Sequence, residues 1–101
     1  MSFNQYGFLA DLQEQVNDKI ENGEFSEFYN LQEFVSEETS TACIYYSDCF
    51  DIIKALNFTE FMDSDMEIRN VSDAAYCALA EFCQEQLPWS DYEQLIDKAN
   101  V

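Results

Sequence analysis

The sequence predicts an all-α fold, a compact single-domain bundle of four or five helices spanning residues 1–101, with room for a short extended segment near 66–71. Three observations carry this expectation. Apolar residues recur every three or four positions along most of the chain, the period of helices that bury one face. Helix stops punctuate it at Gly23, Asn57 and Pro88. Finally, 48% of the 101 residues are hydrophobic and 16% aromatic, enough for one core but too short a chain for two.

The first helix is predicted over 8–22, where Leu9, Leu12, Val16 and Ile20 form an apolar stripe and Gly23 ends it. Asp11, Glu14, Asp18 and Glu21 centre on the opposite side, at 100° per residue, and Lys19 suits the C-terminal end of the dipole. A second helix is expected over 24–36, with Phe25, Phe28, Leu31, Phe34 and Val35 inward, although Ser26 or Asn30 could mark a break. Glu37 to Thr41 reads as a polar connection.

A third helix over 42–56 places Ala42, Tyr45, Cys49, Ile52, Ile53 and Leu56 on one side, opened by Ser40 or Thr41 and closed by Asn57. The run Thr41–Tyr46 is also rich in strand-favouring types. Phe58, Phe61 and Met62 suit a short helix, and Asp63, Ser64 and Asp65 a turn. Met66, Ile68 and Val71 supply the brief extended segment. A fourth helix starts after Ser72 as N-cap, with Tyr76, Leu79, Ala80, Cys83 and Leu87 inward, and stops before Pro88. Ser90 and Glu93 have the spacing of a capping box for a last helix, to which Leu95, Ile96 and Ala99 lend an apolar side.

Charge narrows the function. The chain has 21 Asp and Glu against 4 Lys and Arg, a net charge of -17. So many large apolar groups argue against a disordered acidic tail. The negative field repels phosphate, so direct binding to nucleic acid or to an anionic membrane surface is not expected. The longest apolar runs fall far short of a bilayer span, and Met1–Tyr6 does not open a secretory signal; the expected location is the cytoplasm, that of a host bacterium if the gene belongs to a phage.

Catalysis and cofactor binding find little support, and neither a metal nor a cofactor is expected. There is no His, so Cys43, Cys49, Cys77 and Cys83 lack an imidazole base, and their six-residue spacing is not that of a zinc or redox motif. They read as reduced, buried small residues, with a disulfide between the two pairs still open. Asp63, Asp65, Glu67 and Arg69 loosely follow a calcium loop, but the sixth position lacks Gly and Ala74 stands where the bidentate Glu belongs. Two glycines make no phosphate-cradling loop, and Arg69 is the sole arginine. An enzyme is not expected.

The acids divide evenly between the two halves of the chain, far beyond the roughly 2 to 8 charges that solubility asks of a small domain. Such an excess destabilises the fold by self-repulsion. Halophilic adaptation would account for the number, although the Phe, Ile and Cys content does not favour it. The other account is a partner that wants a dense negative surface. Carboxylates three or four positions apart on a helix lie about 5 to 6 Å apart, near the rise of two base pairs along one DNA strand. The row Asp11, Glu14, Asp18, Glu21, continued by Glu24 and Glu27, could imitate such a strand.

In size, helical character, dispersed acids and scarcity of basic residues the chain resembles the small DNA-mimicking anti-restriction and anti-CRISPR proteins of bacteriophages and plasmids. The segment Thr41–Leu56, TACIYYSDCFDIIKAL, also resembles segments of small phage or mobile-element proteins. The resemblance implies an inhibitor that occupies the basic DNA-binding groove of a host restriction enzyme or CRISPR effector. The partner-facing candidates are Asp11, Glu14, Asp18, Glu21, Glu24, Glu27, Glu37, Glu38, Tyr46, Asp63, Asp65 and Glu67. Tyr6, Tyr29, Tyr92 and Trp89 are further aromatic candidates for exposed positions. A homodimer would lengthen the negative rod. The competing expectation is an acidic protein-interaction module or adaptor that binds through an apolar groove, its charge serving only solubility.

Overall fold

The computed structural model describes residues 3–57 and 68–100. These form five helices: α1 (Gln5–Glu21), α2 (Phe28–Ala42), α3 (Tyr46–Ala55), α4 (Ile68–Gln86) and α5 (Trp89–Ala99). The described residues contain no strand, and none of these helices is long and apolar enough to cross a membrane. The all-α expectation holds, with five helices rather than four.

Local chemistry sets most of the ends. Asn4 caps α1 by accepting hydrogen bonds from the backbone N–H groups of Tyr6 and Gly7, each at 3.1 Å. At the other end Glu24 N–H donates to the Lys19 carbonyl at 2.9 Å and Gly23 N–H to that of Ile20 at 3.1 Å. This is a Schellman turn, and it requires the left-handed φ of 69° at Gly23. An added Cβ there would meet nothing within 4 Å, so only backbone strain opposes it. Gly23→Ala should therefore cost about 1 kcal/mol, read as a lower urea midpoint with an unchanged slope. Asn57 takes the same left-handed role after α3, at φ 60°.

Several expected boundaries are corrected. The polar run Glu37–Thr41 is not a connection but the last part of α2. Thr39 turns its hydroxyl onto the Val35 carbonyl at 2.8 Å and Thr41 onto that of Glu37 at 2.9 Å, so side chains that favour turns are satisfied inside the helix. Consequently α3 opens at Tyr46, and Tyr45, expected in the core, is its exposed N-cap residue. The start of α2 also moves, from Glu24 to Phe28. Asn30 reaches back to accept from Ser26 and Glu27 N–H at 3.2 and 2.9 Å, holding residues 24–27 as a loop from which Phe25 still enters the core.

No extended segment exists over 68–71, because α4 already begins at Ile68 and Ser72 lies inside it rather than capping it. The expected helix and turn over 58–65, and Met66, lie outside the described residues. Ser90 does not cap α5 either. That helix starts at Trp89 directly after Pro88, whose missing N–H suits a helix start.

Two buried clusters fill the bundle. Leu12, Val16 and Ile20 of α1 meet Leu31 and Val35 of α2, Tyr92 and Ile96 of α5, and Cys83 and Leu87 at the end of α4. The other cluster joins Cys49, Ile52 and Ile53 of α3 to Val71, Ala75 and Leu79 of α4. Helix α4, roughly 28 Å long at 1.5 Å per residue, is thus common to both. Gln5 Nε2 donates to the Ala55 carbonyl at 3.2 Å, and Tyr6 meets Phe82 edge-on at 6.2 Å, tying the start of α1 to α3 and α4. The principal extents are 52 × 21 × 20 Å, a short rod.

Candidate partner interface

Helix α1 separates its faces as its sequence predicts. Leu12, Val16 and Ile20 are buried, while Asp11, Glu14, Asp18 and Glu21 are all exposed. From Asp11 to Glu21 the row runs about 15 Å along the axis at 1.5 Å per residue. Glu24 and Glu27 follow it, exposed, in the loop to α2. Glu24 is not a free charge, however. Lys19 Nζ lies 3.5 Å from it and 5.1 Å from the centre of the Phe34 ring, so this cation is held by a carboxylate and an aromatic face together.

Glu37 is exposed on α2 and Glu38 half-buried. Tyr46 is the first residue of α3. Asp63, Asp65 and Glu67 lie outside the described residues. Fifteen of the seventeen acids in the described segments are exposed, and every helix carries some of them. One ion pair, Lys19–Glu24, forms among the described residues. Among the described residues the negative charge therefore faces outward instead of being consumed in internal pairs.

The aromatic candidates divide. Tyr6 and Tyr29 are exposed, at 68% and 63%, and Trp89 is half-buried. Tyr92 is instead buried in the core at the α1–α2–α5 junction, where desolvation pushes its hydroxyl pKa up. Leu95, expected inward, is 45% exposed, because α5 aims Tyr92 and Ile96 at the core and the adjacent position turns away. Ala99 is likewise exposed. Sequence reasoning missed Ile44 and the outward placement of Tyr45, two large exposed side chains at the α2–α3 turn. The unrecognised extension of α2 hid them.

It also missed a cleft between α2, α4 and α5 with a volume of about 310 Å³. Phe28 and Trp89 stand edge to face in its lining, 6.1 Å between ring centres. Trp89 was visible as an aromatic candidate; no local signal marks Ser36, Tyr76 or Gln84 as its neighbours.

The four cysteines are free, and they are not alike. Cys77 is exposed on α4, contrary to the expectation that all four are buried. Burial pushes the Cys43 thiol up to about 12, helped by the neighbouring Cys49 thiol and by Asp48. Burial also raises Cys83, to about 11, against a small opposing pull from the Thr39 hydroxyl. Cys49 is raised by burial too, opposed by the Ser72 hydroxyl, and its Sγ donates to the Cys43 carbonyl at 3.3 Å. A buried thiol held protonated is a poor nucleophile.

At pH 8 a maleimide should therefore label native Cys77 alone, checked by tandem mass spectrometry that places the label within the tryptic peptide 70–98, which also holds Cys83. Unfolded thiols ionise near pH 9 while Cys83 and Cys43 hold their protons to about 11 and 12. The native state binds more protons in that window, so stability should fall as pH rises above 9, by up to about 1.4 kcal/mol per unit for each thiol. Urea titrations at pH 8, 9 and 10 test this, and Cys83→Ala should flatten the decline.

Among the described residues no group of three or more His, Cys, Asp or Glu is placed to hold a metal ion. No protein-family model matches the chain, and no curated protein or solved structure matches it.

Proposed function

We propose that this protein is a DNA-mimicking inhibitor that occupies the nucleic-acid-binding surface of a host defence protein, a restriction enzyme or a CRISPR effector. The observation that carries the reading is the outward display of fifteen acids on a helical rod of 52 × 21 × 20 Å. Fifteen exposed acids over that length are one carboxylate per about 3.5 Å, against one negative charge per about 1.7 Å of a DNA duplex. The rod thus has about half the linear charge density of DNA, on a scaffold whose helices hold carboxylates at regular intervals.

The mechanism is competitive occupation. Lysines and arginines that otherwise hold phosphates pair with the carboxylates, and the long-range field speeds the encounter. Charge alone binds any basic surface weakly and with steep salt dependence, so specificity comes from exposed aromatic groups such as Tyr6 and Tyr29. The adaptor reading draws on the α2–α4–α5 cleft and on Ile44 and Tyr45; there, binding would fail at one or two aromatic positions instead of declining stepwise with charge.

The test is cleavage of a duplex by purified restriction enzymes and CRISPR effectors with the protein titrated in. Mimicry predicts inhibition that excess duplex relieves and that weakens steeply between 50 and about 300 mM salt. Inhibition indifferent to DNA concentration, or no binding to any such enzyme at low salt, would reject it.

A further inference from the structure

The cleft between α2, α4 and α5 has a composition unlike the rest of the acidic surface. Trp89 is fixed on one side. Its indole N–H donates to the Gln84 carbonyl at 3.0 Å, and its ring meets Phe28 edge to face. Ser36 and Tyr76 also line the cleft, their hydroxyls 2.8 Å apart, locking α2 to α4. Gln32 and Ser90 add uncommitted polar groups, and Glu93 supplies an exposed carboxylate. Lysine and arginine are absent from the residues that line it.

We propose that this cleft receives an arginine side chain of the basic partner, its guanidinium lying against the Trp89 aromatic wall and paired with Glu93. Cleft lining and side chain are complementary in chemistry and in charge. A guanidinium is flat, weakly hydrated on its faces and carries five N–H donors at its edge. Aromatic rings suit the faces; the Glu93 carboxylate and the Gln32, Ser36 and Ser90 oxygens suit the edge. Lysine, with a compact, strongly hydrated ammonium, uses the flat wall poorly. An anionic ligand is opposed by Glu93 and by the net charge of -17. A wholly apolar ligand would leave the hydroxyls and amides unpaired. That the arginine comes from a protein partner rests on the proposed function, in which such a partner presents the arginines that otherwise grip phosphate.

Trp89, the only tryptophan of the chain, reports on the cleft directly. Its fluorescence is followed while a blocked Gly-Arg-Gly peptide is titrated in, beside the same peptide carrying citrulline or lysine. The expected result is a saturable response to the arginine peptide, with citrulline and lysine at least about tenfold weaker. Glu93→Gln should weaken the arginine peptide at least about fivefold, whereas Glu81→Gln, which removes one exposed charge elsewhere on α4, should leave it unchanged. A non-saturable response, an equal response to citrulline or lysine, or equal effects of the two variants would overturn the proposal. None of these measurements involves a DNA-binding enzyme. A silent cleft in a protein that still inhibits competitively with DNA rejects the arginine site alone, and a responsive cleft without such inhibition rejects DNA mimicry while keeping the site.

Discussion

Replacing Asp11, Glu14, Asp18 and Glu21 by their amides is expected to weaken binding to an inhibited DNA-binding enzyme about 30-fold, and to do so in steps as the four changes accumulate. Exposed charge pairs are worth roughly 0.5 kcal/mol each, so four on one helix face sum to about 2 kcal/mol. The dependence of affinity on salt should flatten in parallel, because fewer charges are then screened. The fold should survive. These side chains are exposed opposite the buried stripe of α1 and make none of its capping bonds. Removing four like charges from a chain of net charge -17 relieves self-repulsion, so the melting temperature at low salt should rise. Calorimetric titration at 50 and about 300 mM salt, with a thermal melt of each variant, measures both effects. Unchanged affinity in the quadruple variant would remove α1 from the interface.

Truncating Leu79 to Ala should destabilise the fold far more than any substitution on its surface. Leu79 is fully buried in the cluster shared by α3 and α4, on the helix that also supplies Cys83 to the other cluster. Removing three carbons from such a site leaves a cavity and costs about 3 kcal/mol, out of roughly 5 to 15 kcal/mol for a whole domain. The melting temperature should drop on the order of 15 °C for a domain of this size. Leu95→Ala makes the contrast, since Leu95 is 45% exposed; it should change stability by less than about 0.5 kcal/mol. Equal losses from the two would mean that the packing of α4 does not hold the fold. A large loss from Leu95 alone would point to a second surface covering α5.

The candidate interface was only partly legible from the residues. The acidic row of α1 followed from periodicity, because a helix converts spacing into direction with no help from other elements. The outward position of Tyr6 and Tyr29 agreed with their amphipathic character. Tyr92 did not agree: its ring fills space between α1 and α5, and whether a tyrosine enters a core depends on what lies opposite it. The cleft was invisible, since Ser36 and Tyr76 are 40 positions apart and Phe28 and Glu93 farther still.

By itself, then, the chain's sequence determined that the fold is helical, that α1 segregates charge from apolar groups, and that Gly23 and Pro88 end helices. Each of these depends on interactions within a few residues: the 3.6-residue period, a left-handed backbone angle, a missing N–H. Tertiary structure decided the rest. It buried Thr39 within α2, turned Tyr45 and Leu95 outward, and assembled the cleft. Those outcomes weigh a local preference against the burial that a distant helix offers, and spacing along one segment contains no record of the distant partner.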